Sequence, residues 1–171
     1  ELYKKGLIYK DARTSLFCPR CETPLSNFEI AMDNSYHDQE DDSVYVKFPL
    51  VGKKNEYILI WTTTPWTLPG NAAVAINSEI EYTKYKTQDT YHISQNKFEY
   101  IWSANVPPHE LGVEPIAGEK RKGRELIGWK YEPLFRITDD QNSYHIVSAD
   151  FVAMDEGTGL VHIAPAFGEE D

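Results

Sequence analysis

The sequence is poor in cysteine and methionine, with two of each, and short of cations: 17 Lys and Arg stand against 27 Asp and Glu, a formal charge of -10. One cysteine pair is no disulfide framework, and at this length a core can bury roughly 70% of the surface that the unfolded chain exposes, so no staple is required. The shortage of Lys and Arg argues against a protein that coats long stretches of nucleic acid, because counterion release needs clustered cations. Contact with one short nucleic-acid end stays open. No apolar run approaches the ~20 residues that cross a bilayer, and Glu1 opens no basic-then-apolar leader. The expectations are no membrane and a reducing, cytoplasmic setting, where close-spaced cysteines more often bind metal than form a bridge. Glu1 is not Met, and Glu169-Glu170-Asp171 follow an apolar run with no terminating signal. An excised piece of a larger chain is expected.

Common catalytic signatures are also missing. There is no G-x-x-x-x-G-K-[ST], and Gly157-Thr158-Gly159-Leu160-Val161-His162 lacks the third glycine of a dinucleotide loop. Neither a G-x-S-x-G elbow nor an H-E-x-x-H zinc-protease motif occurs.

What is present is ordinary globular material, 41% hydrophobic and 13% aromatic. Val44-Tyr45-Val46-Lys47-Phe48 is β-branched and aromatic enough for a strand, after an acidic run at residues 38–42 that reads as a solvated turn. Tyr57-Ile58-Leu59-Ile60-Trp61 is an apolar run of strand length, ended by Pro65. Strands are also expected at residues 73–76, 81–86, 91–93, 126–135, 144–148 and 160–163, with Gly157-Thr158-Gly159 as a turn. Phe98, Ile101 and Trp102 fall at helical spacing, so residues 96–104 are expected to form a short helix that stops before Pro107-Pro108. About eight short strands with turn signals every ten residues or so, and no fixed repeat, favour a mainly β, mostly antiparallel barrel or sandwich over alternating βα units.

Four features carry chemistry, each beside a structural alternative. Cys18-Pro19-Arg20-Cys21 has the C-x-x-C spacing that lets two thiolates meet one Zn²⁺, yet a structural site takes four ligands. It is half of a zinc site or two structural thiols; a redox dithiol would be expected beside a βαβ pattern, which is absent. His37 either joins it or sits in a surface turn. Thr62-Thr63-Thr64-Pro65-Trp66-Thr67 puts four hydroxyls in six residues. As local structure it is a strand-to-helix turn with Thr64 at the N-cap and Pro65 first in the helix. As chemistry, it offers donors for a carbonyl oxygen or a ribose, with Thr62 and Thr64 on one face and Thr63 on the other. His162 lies in an apolar strand, either as a satisfied core residue or as a pocket residue together with Asp171 nine residues on. Lys120-Arg121-Lys122-Gly123-Arg124 is the one cationic cluster, a solvated hairpin tip or a phosphate contact.

Trp61-Thr-Thr-Thr-Pro-Trp-Thr-Leu-Pro-Gly-Asn71 and Gly157-Thr-Gly-Leu-Val-His-Ile-Ala-Pro-Ala-Phe-Gly-Glu-Glu-Asp171 together resemble the editing domain inserted in isoleucyl-tRNA synthetases. Cys18-Pro-Arg-Cys-Glu-Thr-Pro-Leu-Ser26 resembles the zinc knuckle that opens the insertion, and Tyr45-Val-Lys-Phe-Pro49 the strand after it. The resemblance covers nearly the whole chain. Thr64-Pro65-Trp66 is similar to the isoleucyl form, whereas valyl and leucyl relatives carry Arg-Pro and then an acidic residue.

The resemblance implies a closed six-stranded β-barrel with short helices, residues 1–171 as a single editing domain, and residues 16–28 as a half zinc knuckle. It implies hydrolysis of valyl-tRNA(Ile), and of valyl-adenylate as a further candidate substrate. The partners implied are the tRNA(Ile) 3′ end carrying misactivated valine and the remainder of the synthetase, with the chain as a monomer. Hydrolysis would need no cofactor. ATP would serve only the parent enzyme, since signatures of the His-Ile-Gly-His and Lys-Met-Ser-Lys-Ser kinds are absent here. Zinc would bind Cys18 and Cys21 only with ligands from outside the chain. By matching positions, Asp171 would bind the substrate α-ammonium and His162 would line the side-chain pocket. Thr62, Thr63 and Thr64 would frame the ester and the terminal adenosine, with Trp66 and Asn71 supporting that wall. Editing is needed because one methylene is worth only about 1–3 kcal/mol in a hydrophobic pocket, for which isoleucine against valine is itself a standard case. The alternative is a tRNA 3′-end binding module that is inactive when excised.

Overall fold

The computed structural model describes residues 1–11, 15–32, 35–88, 98–105, 112–154, 157–165 and 167–168. The strand expected at residues 91–93, the stop at Pro107-Pro108 and Asp171 lie outside the described residues. The chain divides into two compact units, Glu1–Glu40 with Ala166–Asp171, and Asp41–Pro165.

In the first unit, β1 (Phe17–Cys18) pairs antiparallel with β2 (Thr23–Pro24) across the turn that carries both cysteines. The single-turn α1 (Asn27–Ile30) starts in a capping box: the Ser26 side chain accepts from the Glu29 amide, and Glu29 accepts from the Ser26 amide. No described residue of 1–40 is buried. Local hydrogen bonds, rather than an apolar core, shape this unit.

The second unit carries the core. Its larger sheet runs β3 (Val44–Pro49), β4 (Glu56–Thr62), β7 (Phe98–Ser103), β6 (Glu81–Gln88), β8 (Glu114–Lys122), antiparallel except where β4 meets β7. The smaller sheet has β5 (Ala73–Ile76) between β10 (Leu160–Ile163), antiparallel, and β9 (Ile146–Ser148), parallel. Val46, Phe48, Ile58, Ile60, Tyr82 and Trp102 from the first sheet and Val74, Ile76, Ile146 and Leu160 from the second form one buried cluster. Leu59, Tyr85 and Ile101 form another. Ile58 and Ile60 enter the first and Leu59 the second, so β4 is buried on both faces and reads as an unbroken apolar run. Each such side chain contributes about 1.5–3 kcal/mol on burial.

Several expectations are corrected. The mainly β class holds, but among the described residues the sheets are open and do not close into a six-stranded barrel. β3 takes one edge of β4 along its length and β7 takes the start of the other, while β10 runs beside β4 with no ladder between them. The two sheets are joined instead by side-chain packing and by hydrogen bonds outside the ladders, among them the Ala104 amide to the Thr158 carbonyl at 2.8 Å and the Tyr82 hydroxyl to the Gly159 carbonyl at 2.7 Å. Residues 98–103, expected as helix, are the strand β7, because ladders to β6 and β4 and aromatic-rich composition outweigh a spacing of three residues. Ile101 and Trp102 accordingly enter different clusters. Residues 126–135 are not a strand: a turn carries Gly128 at φ 83, and pairing is limited to the bridges Leu50↔Tyr131 and Lys130↔His145. The strand expected at 144–148 shortens to β9 because Tyr144 has φ 61, off the extended region.

The cationic run ends β8 and enters a 3₁₀ turn at Gly123–Glu125. There Lys120 pairs with Glu81 at 2.7 Å, Arg121 with Glu125 at 3.3 Å, and Lys122 donates to the Glu79 carbonyl at 2.8 Å. Within the large sheet, Glu56 accepts from Lys84 at 3.0 Å and from the Trp102 indole at 3.1 Å. Burial pushes the Glu56 carboxyl up, but these two bonds and the Lys84 charge win and hold it below its ordinary value. A carboxyl depressed by folding stabilises above its unfolded value and loses that contribution as pH falls through its folded value. The Glu56→Gln chain is therefore expected to show a shallower fall of Tm on acidification than the unaltered chain. Parallel acid limbs in thermal unfolding would show that this carboxylate does not couple to folding.

Candidate active site

The site forms where β4 runs out. Thr62, its last residue, is buried, and Thr63 and Thr64 are exposed. Past the end of the strand the hydroxyls of Thr62 and Thr64 approach to 3.4 Å, and the Thr64 amide donates to Thr62 Oγ1 at 3.1 Å, the bond of a local Thr turn rather than of a shared strand face. A 3₁₀ helix, Pro65–Gly70, follows with proline at its start. Thr64 occupies the N-cap position but its side chain makes no capping bond, contrary to expectation. Its carbonyl is used instead: it accepts from the Thr67 amide at 3.0 Å and from Thr67 Oγ1 at 2.8 Å.

Thr67, buried, counts in the sequence only as the last hydroxyl of the threonine run with no role of its own, yet that hydroxyl lies 2.9 Å from His162 Nε2. Chemistry assigns the proton there. Thr67 has one hydroxyl hydrogen, committed to a carbonyl that can only accept, so Thr67 Oγ1 accepts from His162, whose Nε2 carries a hydrogen. His162 is itself buried, on β10 opposite Val74 of β5. The 3₁₀ helix and β10, far apart in sequence, thus meet through an imidazole of fixed orientation.

Asn71, just past the 3₁₀ helix, is almost fully buried. Its Nδ2 donates to the Ala73 carbonyl at 2.9 Å, and its Oδ1 accepts from the Tyr131 hydroxyl at 2.7 Å. Trp66 projects outward, 66% exposed. Gly159, at φ 72, lets β10 begin against the large sheet, since a Cβ there would stand 2.6 Å from Ala104 Cβ. The structure thus brings together Thr62, Thr64, Thr67 and His162, with Asn71 behind them. Local sequence marked the threonine run; Tyr131 carries no local signal at all.

The cysteines lie in the first unit. The Cys21 amide points at Cys18 Sγ over 3.4 Å, which pulls the Cys18 thiol below its ordinary value, while the Cys18 side chain pushes Cys21 up. Two thiols on one tight turn suit half of a tetrahedral zinc site. Among the described residues no third His, Cys, Asp or Glu gathers with them, and His37 is exposed.

The fold has known counterparts. The crystal structure of GlLeuRS-CP1 superposes with TM-score 0.55 over 71% of this chain and 54% of its own, at 16% identity. The P. knowlesi cytosolic leucyl-tRNA synthetase editing domain gives 0.51 over 70% and 55%, at 13% identity. At such identities the likeness is one of fold: these strands and short helices have the architecture of a synthetase editing domain.

Sequence comparison goes further. The family model for tRNA synthetases class I (I, L, M and V) matches residues 1–164, and the chain belongs to that family. It is 42% identical over 171 residues to the isoleucine–tRNA ligase of Bacillus thuringiensis (strain Al Hakam), covering 99% of this chain. It is 44% identical to that of Pyrococcus horikoshii over an aligned 184 residues, covering all of this chain. The chain spans only 16% and 17% of the length of these relatives.

Proposed function

We propose that the chain is the editing domain of an isoleucyl-tRNA synthetase and hydrolyses valine from mischarged tRNA(Ile). The observation that supports this best is the buried Thr67 to His162 hydrogen bond beside the Thr62 to Thr64 run, in a chain about 42% identical to isoleucine–tRNA ligases along its length. An imidazole held this way makes a firm pocket wall, suited to admitting valine and refusing one more methylene.

In this reading the single-stranded 3′ end of the tRNA brings the ester to the threonines. Thr63 and Thr64, exposed, and Thr62 beneath them position the ester carbonyl, the terminal ribose and a water molecule. Water attacks the carbonyl carbon and the bond to the ribose oxygen breaks. That oxygen takes a proton from the water, and valine leaves as the free acid. Asp171 pairs with the substrate α-ammonium. No activated side-chain nucleophile is needed, and no cofactor. Valyl-adenylate, a mixed anhydride of the same amino acid, is a second substrate for the same pocket. The remainder of the synthetase supplies ATP-dependent ligation, most contacts to the tRNA body and the other zinc ligands for Cys18 and Cys21. The domain acts as a monomer in the cytoplasm.

The test is release of valine from valyl-tRNA(Ile) in ¹⁸O-water. One ¹⁸O in the liberated valine, with no acyl-protein adduct on acid quench, is expected. A covalent adduct would overturn direct attack by water. Binding of the tRNA without any release would favour a 3′-end binding module.

A further inference from the structure

Asn71 does not hold its own position. Its amide N–H donates to the Leu68 carbonyl at 3.1 Å and closes the 3₁₀ helix that carries Thr67, while the Ala72 amide donates to Ile163 beside His162 at 2.8 Å. The Asn71–Ala72 corner therefore sets the spacing between the two halves of the Thr67 to His162 hydrogen bond. Two tyrosines grip this corner from behind. The Tyr131 hydroxyl donates to Asn71 Oδ1 at 2.7 Å, the Tyr144 amide donates to the Ala72 carbonyl at 2.7 Å, and the Tyr131 amide donates to the Tyr144 carbonyl at 3.0 Å.

The grip is rigid. The Tyr131 ring stacks on Phe48 with centroids 5.0 Å apart and meets Tyr144 edge-on at 6.3 Å. Tyr144 sits at φ 61, a conformation unfavourable for an aromatic residue and maintained here by its surroundings. Since Ala73 O can only accept, the Asn71 amide is oriented with Oδ1 toward Tyr131, and removing that hydroxyl leaves a buried acceptor without its donor.

We propose that Tyr131 is a positioning residue for the pocket: through Asn71 it fixes the 3₁₀ helix so that Thr67 meets His162. The effect on catalysis rests on the editing reading above; the effect on the imidazole does not. The test compares Tyr131→Phe with Tyr82→Phe, which also removes one buried hydroxyl, the donor to Gly159 O at 2.7 Å. Two readouts are taken on the whole chain: the His162 Nε2–H signal by ¹⁵N NMR, and the ratio of release rates from valyl- and isoleucyl-tRNA(Ile). In Tyr131→Phe the signal is expected to move and the preference for the valyl ester to fall about 10-fold, as for a size filter whose wall is displaced. Tyr82→Phe is expected to leave both as they were. Asn71→Ala, cutting the same bond from its other end, is expected to move the signal as Tyr131→Phe does. If the unaltered chain releases no valine while Tyr131→Phe alone moves the signal, the editing reading fails and the positioning stands. A signal unmoved in Tyr131→Phe, or moved equally by Tyr82→Phe, overturns the proposal.

Discussion

Replacing His162 by alanine is expected to abolish most of the discrimination between valine and isoleucine. The imidazole is buried on β10 and tied to Thr67, whose hydroxyl is tied to the Thr64 carbonyl, so the ring cannot swing aside for a larger side chain. Apolar contact alone discriminates one methylene by about 10–200-fold, so a wall that yields forfeits a ratio of that order. Single-turnover release from valyl- and isoleucyl-tRNA(Ile) measures it. The rate on the isoleucyl ester should rise in His162→Ala, while the rate on the valyl ester changes less. Thr67→Val, which keeps the shape but cannot accept from Nε2, should fall between. An unchanged ratio in His162→Ala would place the size filter elsewhere.

The second large effect is on stability. Gly123 is buried, and a Cβ on it would stand 2.1 Å from the Asn77 carbonyl oxygen and 2.9 Å from its carbon. Both are backbone atoms, so no side chain can move away to make room. Separation would strain the bonds from the Gly123 amide to Ile80 O and from the Arg124 amide to Ser78 O, and would shift Leu126, fully buried one turn on. Gly123→Ala is expected to cost about 3 kcal/mol, a fall in Tm of about 6–12 °C for a domain of this size. Gly118→Ala is the contrast. It has open space around its Cβ, and only its φ of 79 to pay against, so about 1–2 kcal/mol is expected. Equal losses in thermal unfolding would mean that the close approach to Asn77 carries no weight.

How much of this was legible in the sequence depended on how local the cause was. β3 and β4 are runs of β-branched and aromatic residues and β5 and β10 short apolar runs, all near turn residues, and their positions could be read directly. β7 could not, because its three spaced apolar residues suit either a helix or a strand, and only pairing with β6 and β4 decides. The relation of β10 to β4 is likewise a tertiary matter that no local pattern encodes. The same holds at the site. The threonine run stands out as composition, but Thr67 reaches His162 across 95 residues and Tyr131 reaches Asn71 across 60. Resemblance to a family supplied His162 and Asn71 as candidates. What holds them is tertiary, and the side chain that meets His162 is the buried Thr67 rather than Trp66, which faces solvent.

The measurement that bears most directly on the editing reading is release of radiolabelled amino acid from valyl-tRNA(Ile) and isoleucyl-tRNA(Ile), comparing the chain with its Asp171→Ala variant. Faster release of valine than of isoleucine, lost in the variant, is the predicted result. Release of both at equal rates would contradict selection by size at His162, and a valine rate that Asp171→Ala leaves unchanged would contradict recognition of the ammonium by Asp171.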